Sequence, residues 1–169
     1  MPTTDVTLHH IFQAKQAITP VARETPLILS DALTQQIGAN VYLKLETLQE
    51  TGAFKMRGAA NKILNLSAAE KKAGVVTVST GNHGRAVAYV ADRLNLKAAV
   101  CISERVPQNK VDALKRLNAE VVIHGQSQDE AELRARQIQA EQGATLIPFD
   151  RFREPRSLVL SGFSGSARG

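Results

Sequence analysis

The sequence predicts an α/β protein in which helices cover both faces of a parallel β-sheet, a three-layer, doubly wound arrangement. The first observation is the alternation of short, β-branched apolar runs with amphipathic segments between Val75 and Ile147. The second is their spacing, which leaves room for one helix between successive strands and therefore favours parallel pairing. The third is a hydrophobic content of 43% in 169 residues, which is enough for one good-sized core.

Four strands and three helices are expected in this alternating region. Each helix is predicted from apolar residues recurring at helical spacing. Pro107 opens the second helix, where a missing N–H costs nothing. Ser127 caps the third, whose first turn carries two acids that the helix dipole favours. The expected strands are 75–79, 97–102, 120–124 and 145–147, and the expected helices are 83–94, one that opens at residue 107, and 127–142.

The first fifty residues follow a different pattern, with short elements in place of the regular alternation. We interpret residues 1–50 as the N-terminal part of a large lobe, 51–150 as a small α/β lobe, and 151–169 as an atypical tail. Because the rest of the large lobe would come from later sequence, we expect an exposed apolar surface on residues 8–45. The expected elements are a helix over Leu8–Ile18, an extended segment at 25–27, a helix at 31–37 ended by Gly38, and a strand at 41–46.

The tail differs in composition from everything before it. From Arg151 it is rich in arginine, serine and glycine and has no sustained apolar period. A disordered tail, a coding-frame slip followed by an early stop, and a cloning artefact all remain open as its origin. The net charge is +5, but it falls to +2 without the tail, and the remaining basic residues are interleaved with acids. With only 4% aromatic residues, the composition argues against a nucleic-acid partner.

Compartment and metal content also follow from the composition. The sequence contains no run of about eighteen apolar residues, so no membrane span is expected. The segment Met1–Asp5 does not resemble the start of a secretory signal. The single cysteine, Cys101, excludes an internal disulfide framework, and its apolar, strand-like setting favours a buried structural thiol. We therefore expect a soluble, cytoplasmic protein. His9, His10 and His124 show no ligand spacing, so no metal is expected.

The segment 51–58, Thr-Gly-Ala-Phe-Lys-Met-Arg-Gly, places one lysine between an aromatic ring and an arginine. Apolar neighbours such as Phe54 and a nearby cation such as Arg57 both favour the neutral amine of Lys55. A neutral amine can form an imine with an aldehyde. The alternatives are that Lys55 is a solvated residue opening a helix and that Arg57 lies on the surface.

The segment 79–84, Ser-Thr-Gly-Asn-His-Gly, stands where an expected strand gives way to a helix. Ligands of open α/β sheets commonly bind there, and N–H groups at the helix start would hold an anion such as a substrate carboxylate. The Asn82 amide would donate to a ring oxygen or cap the helix. His83 is a candidate base, but a capping or packing role fits better because no carboxylate partner is evident nearby. The glycine pattern of dinucleotide-binding turns is absent.

Together, the two segments resemble the fold-type II pyridoxal-phosphate enzymes, and above all the threonine/serine dehydratase branch, which includes serine racemase and a hydroxyectoine-utilisation dehydratase. The resemblance runs from about residue 11 to residue 150 and includes the segments 25–27 and 42–46. It implies that Lys55 carries pyridoxal 5'-phosphate as an imine, that Phe54 packs beside the cofactor ring, and that Asn82 hydrogen-bonds its phenolic oxygen. The residues implied to surround the substrate carboxylate are Ser79, Thr80, Gly81 and His83.

The resemblance implies a lyase of amino-acid metabolism that removes water from threonine or serine to give a 2-oxo acid and ammonia. Lys55 would be both covalent anchor and base, and full-length members would form homo-oligomers. Racemisation and β-substitution remain open, as does a non-catalytic fragment. Ala53 and Arg85 stand where many relatives have serine and glutamine. Because no glycine-rich phosphate loop follows Asp150, the sequence looks C-terminally truncated, with the small lobe and only the start of the large lobe.

Overall fold

The computed structural model describes residues 6–148, and the tail at 151–169 lies outside the described residues. Helices and strands alternate along the chain except for two successive helices between residues 55 and 73, and a 3₁₀ turn lies at Glu46–Leu48. In chain order the elements are α1 (Leu8–Ile18), β1 (Leu27–Leu29), α2 (Asp31–Ile37), β2 (Tyr42–Lys44), α3 (Lys55–Leu64), α4 (Ala68–Ala73), β3 (Val75–Val78), α5 (Asn82–Arg93), β4 (Ala98–Ile102), α6 (Gln108–Lys115), β5 (Glu120–Ile123), α7 (Gln128–Gln142) and β6 (Thr145–Leu146).

The main sheet has four strands in the order β5-β4-β3-β6, and every pair in it is parallel. Val75 of β3 lies opposite Ala98 of β4 on one side and Thr145 of β6 on the other. Strands β3 and β4 are buried along their whole length, as expected for the central strands of a parallel sheet. The parallel sheet predicted from the alternation is confirmed.

Helices cover both faces of this sheet, which confirms the three-layer arrangement. On one face, α3 and α5 pack together, and their residues Met56, Ile63 and Val87 belong to a core that also includes Val75 and Val100. On the other face, small and apolar side chains of α7 pack against the side chains of β3 and β4 that point toward this helix. The cluster on this second face is formed by Val76, Val78, Ala99, Cys101, Ala131, Ala135, Ile138 and Ala144.

The N-terminal elements form a short antiparallel ribbon and two helices. Strands β1 and β2 pair antiparallel, with Leu27 opposite Lys44, and α2 ends at Gly38, which adopts a left-handed φ of 76°. Helix α1 lies against α3, and its Ile18 is part of the core on that face. Strand β2 is shorter than predicted, because the chain turns at residue 45 into the 3₁₀ turn.

The expected apolar surface in this region is confirmed. Of the twelve large hydrophobic side chains that are exposed among the described residues, eight come from residues 8–45, and a ninth, Leu48, follows directly. Three of them, Leu27, Ile28 and Leu29, form the whole of β1, and all three are exposed. The other six are Leu8, Phe12, Ile37, Tyr42, Leu43 and Leu48.

Two helix starts and one whole helix differ from the sequence prediction. Helix α4 was not predicted, yet it has its own start signal, because Ser67 and Glu70 form a reciprocal capping box. Pro107 is the residue before α6 and not its first helical residue. Helix α5 begins at Asn82, one residue earlier than expected.

Within residues 6–148, no helix is both long and apolar enough to span a membrane. The same residues contain no cluster of three or more histidine, cysteine, aspartate or glutamate side chains that could hold a metal ion.

Candidate active site

The predicted lysine lies at the first turn of a helix, beside an aromatic ring. Gly52 makes the tight turn before it with a left-handed φ of +72°, a conformation that a residue with a Cβ rarely adopts. Lys55 begins α3 and is half-buried, and its Nζ lies 5.2 Å from the centroid of the Phe54 ring. Phe54 itself remains 42% exposed. The amine and an accessible aromatic face are therefore adjacent.

Arg57, two residues further on, is buried and paired with an acid from a distant part of the chain. Its side chain is 4% exposed, and its Nη2 and Nε donate to the two carboxylate oxygens of Glu46 at 2.7 and 2.9 Å. Nη2 also donates to the backbone carbonyl of Arg23. The residue is therefore not on the surface, which corrects that alternative, and its guanidinium is paired with Glu46.

The same carboxylate is the centre of a larger polar network. The Thr25 hydroxyl donates to Glu46 at 2.6 Å, and the Gln49 amide donates to Glu46 and to the carbonyl of Arg23. Burial favours the neutral acid, but the hydrogen bonds from Arg57 and Thr25 outweigh it and lower the pKa of Glu46 below its ordinary value. The ionised carboxylate therefore holds the start of α3 against the segments 23–25 and 46–49.

Lys44 also belongs to this network. Its Nζ donates to the backbone carbonyl of Thr25. Burial and the nearby Arg57 guanidinium lower the pKa of the Lys44 ammonium. Two cations, Lys44 and Arg57, thus meet the Glu46 carboxylate close to Lys55 in the sequence. Thr25 and Glu46 lie in segments that carry the resemblance, but the sequence analysis assigned neither of them a role.

The second predicted segment forms the turn between β3 and α5. Gly81 precedes the helix with an extended backbone, and its N–H donates to the Ser79 hydroxyl at 3.2 Å. Gly84 is the glycine that this turn requires, since a Cβ there would lie 2.3 Å from the Ser79 carbonyl oxygen. A Cβ on Gly81 would meet nothing within 4 Å. The start of α5 therefore approaches the end of β3 closely because residue 84 has no side chain.

Asn82 does not cap the helix, which corrects one of its two expected roles. It is the first helical residue of α5, and no side chain caps that helix. The Asn82 side chain is exposed. The role of donor to a ligand stays a prediction.

His83 has a packing role, as the sequence favoured over that of a base. The residue is 7% exposed, and its Nε2 lies 3.2 Å from the Ile147 carbonyl oxygen, to which it donates. The Thr77 hydroxyl donates to the same carbonyl at 2.7 Å. The two bonds join β3 and the first turn of α5 to the residue that follows β6.

Cys101 is a buried structural thiol, as predicted. It lies in β4 with no exposed surface, against the α7 face of the sheet. Burial raises the pKa of its thiol to about 11. A thiol with so high a pKa is a poor nucleophile at neutral pH.

A family model described as pyridoxal-phosphate dependent enzyme matches residues 18–154 of this chain. The match covers well over half of the sequence, so the chain belongs to this family of pyridoxal-phosphate-dependent enzymes. The family and the fold expected from the two sequence segments are confirmed.

Named relatives of this chain include dehydratases, ammonia-lyases and racemases. The L-threonine dehydratase of Staphylococcus aureus strain USA300, a catabolic enzyme by its name, is 42% identical over 147 residues, which cover 86% of this chain and 42% of that protein. The serine racemase of Dictyostelium discoideum has a TM-score of 0.80 at 34% identity and is matched over 85% of this chain and 47% of its own. The processed form of threonine deaminase isoform 2 from Solanum lycopersicum has a TM-score of 0.76 at 37% identity, with 88% of this chain and 44% of that chain covered. This chain spans less than half the length of each.

Proposed function

We propose that this chain carries the cofactor lysine and the substrate-carboxylate turn of a pyridoxal-phosphate-dependent ammonia-lyase, which eliminates water from a β-hydroxy amino acid such as threonine or serine. The observation that carries the proposal is the Lys55 amine at the start of α3, 5.2 Å from the centre of an accessible aromatic ring. Similarity to threonine dehydratases supports the same reaction.

The residues present fit the aldehyde and ring of the cofactor. Lys55 supplies the amine, Phe54 supplies an accessible aromatic surface for the ring, and the exposed Asn82 amide supplies a donor. When bound, pyridoxal phosphate supplies an electron-accepting ring that stabilises negative charge at the substrate Cα. The phosphate would need further donors, because the glycine-rich loop of the family is absent from the 169 residues.

The protein groups have distinct tasks in this reaction. Backbone N–H groups at the start of α5 would bind the substrate carboxylate, since a helix N-terminus favours an anion. The Ser79 and Thr80 hydroxyls are on the same turn. Lys55 Nζ would hold the cofactor covalently and then accept the proton from the substrate Cα. The Glu46–Arg57 pair would fix the position of the helix turn that carries Lys55.

Serine racemisation is a second candidate. The structural similarity to the Dictyostelium discoideum serine racemase favours it. By resemblance, the Thr80 hydroxyl stands where racemases have a serine that acts on the second face of the substrate. Chiral chromatography of serine left after incubation separates the two reactions, because a racemase yields D-serine and a lyase yields pyruvate.

The compartment, assembly and lobe division are also proposals. We propose a cytoplasmic protein, a compartment that fits a sequence whose single cysteine leaves no internal disulfide framework. We propose that the full-length architecture forms homo-oligomers. We also propose that residues 1–50 belong to the large lobe and 51–150 to the small lobe, with the exposed apolar side chains of residues 8–48 as support.

The test is chemical trapping of the cofactor aldehyde on the chain itself. Equimolar pyridoxal phosphate is added, borohydride fixes any imine, and peptide mass spectrometry locates the modified lysine. We expect Lys55 to be labelled several-fold more than Lys62, an exposed lysine of the same helix. A K62R variant should keep this labelling and K55R should lose it. Equal labelling of the two lysines would refute the assignment of Lys55.

A further inference from the structure

A cavity of about 240 Å³ opens at the carboxyl edge of the main sheet, beside the proposed carboxylate turn. Its inner wall is apolar, with Val78 from β3, Cys101 from β4 and Ala131 from α7. It shares Ser79 and Thr80 with the turn that precedes α5. One ligand can therefore contact the turn and enter the cavity at the same time.

The outer wall of the cavity is polar and carries a positive charge. Arg105 and Ser103, from the loop after β4, and Gln128, at the start of α7, line it. No acidic side chain among the described residues lines the cavity, and Arg105 makes no ion pair there. The neighbouring Glu104 accepts from the Gln126 amide, whose oxygen accepts from Arg105 Nε at 3.4 Å.

The size of the cavity exceeds what threonine or serine would fill. A water molecule occupies about 30 Å³ in the liquid, and the side chain of either amino acid has only two or three heavy atoms. With its carboxylate on the Ser79–Gly81 turn, such a substrate would leave most of the 240 Å³ to water. A longer side chain would displace that water and reach the guanidinium.

We propose that this cavity binds the far end of the substrate side chain, and that the preferred substrate is a β-hydroxy amino acid whose side chain ends in a carboxylate. Arg105 is then the specificity-determining residue, because a guanidinium offers a planar pair of donors that matches a carboxylate. Val78 and the partly exposed Val106 at the cavity wall contact the methylene groups between the two ends. This inference rests on the proposed function, since it places the substrate's own carboxylate on the turn.

The test compares two acids of equal chain length, glutarate and pentanoate, by amide NMR of the isotope-labelled chain. We expect both acids to shift the amides of residues 79–83. Only glutarate should also shift those of residues 103–106 and Gln128. In R105Q the Kd for glutarate should rise at least tenfold, with pentanoate unchanged. The control R116Q removes an exposed arginine at the end of α6 and should bind glutarate like the parent chain.

The outcomes separate this inference from the proposed function. Because Arg105 is exposed, R105Q should keep the parent spectrum outside the cavity, so any loss of binding is local. Binding of glutarate that is unchanged by R105Q would overturn the inference even if Lys55 traps the cofactor. If borohydride does not label Lys55 but glutarate binding depends on Arg105, the dicarboxylate site is supported. Only the lyase assignment is then lost.

Discussion

Arg57 donates hydrogen bonds to both carboxylate oxygens of Glu46, with Nη2–Oε1 and Nε–Oε2 distances of 2.7 and 2.9 Å. The arginine side chain is only 4% exposed. The pair joins the first turn of α3 to the 3₁₀ turn after β2, which lies eleven residues earlier in the chain. Bidentate geometry and added donors from Thr25 and Gln49 compensate the desolvation that an ion pair suffers on burial.

Substituting Glu46→Gln should lower the free energy of unfolding by about 3–5 kcal/mol, because the buried guanidinium loses its counter-charge. Urea denaturation followed by circular dichroism measures the change. The matched control is Glu132→Gln, which breaks an exposed pair with Arg136 on α7 and should cost at most about 0.5 kcal/mol. Equal effects of the two substitutions would show that the buried pair contributes no more than a surface one.

The pH dependence of stability should reveal the same carboxylate. The folded-state pKa of Glu46 is lowered from its ordinary value of 4.5, so its contribution is complete above that pH and is lost as the pH falls through the folded-state pKa. The stability gap between the parent chain and Glu46→Gln should therefore be constant near neutrality and narrow below about pH 4.5. Denaturation at successive pH values measures it. A gap that widens on acidification would contradict the assigned direction.

Gly84→Ala should destabilise the turn before α5. The added Cβ would lie 2.3 Å from the Ser79 carbonyl oxygen, so the helix start or the end of β3 must move. Such overpacking typically costs about 1–3 kcal/mol. Gly81→Ala is the matched control, because its Cβ meets nothing within 4 Å and its φ of −112° suits any residue. Hydrogen exchange at the Arg85 amide, which donates to the Gly81 carbonyl at 3.2 Å, should accelerate in the first variant alone.

Cys101 should resist alkylation in the folded chain. Its thiol is fully buried in β4, and burial raises its pKa to about 11, so little thiolate forms at neutral pH. Iodoacetamide at pH 8 should modify it only after denaturant unfolds the sheet. Modification at the same rate with and without denaturant would show that β4 is accessible.

Elements with local signals could be predicted from the sequence alone. Helix α2 was expected with its observed bounds, because Gly38 supplies a left-handed end. Helix α7 was expected because serine is a favoured cap, and the bond from the Glu130 N–H to the Ser127 side chain confirms that role. Where a local signal was ambiguous, the prediction failed. Asparagine is a common cap, yet the extended backbone before α5 places the cap at Gly81 and Asn82 inside the helix.

The Glu46–Arg57 pair could not be predicted in this way. From its neighbours in the sequence, Glu46 is predicted to be a polar residue at the end of a strand. Arg57 is predicted in the same way to be an ordinary helix residue. Their partnership depends on α3 folding back on the segment around Thr25, a contact between residues more than thirty positions apart. Sequence patterns predicted both segments of the candidate site and its lysine, but the contacts that hold the helix of Lys55 come from tertiary structure.

The nine outward-facing hydrophobic side chains of residues 8–48 have a practical consequence for handling the chain. Such a surface binds fluorescent dyes that report non-polar sites, invites capture by holdase chaperones, and promotes reversible clustering as concentration rises. Ammonium sulfate should precipitate the protein early, because it strengthens apolar burial. Spectroscopy on this chain is best planned for dilute, low-salt samples.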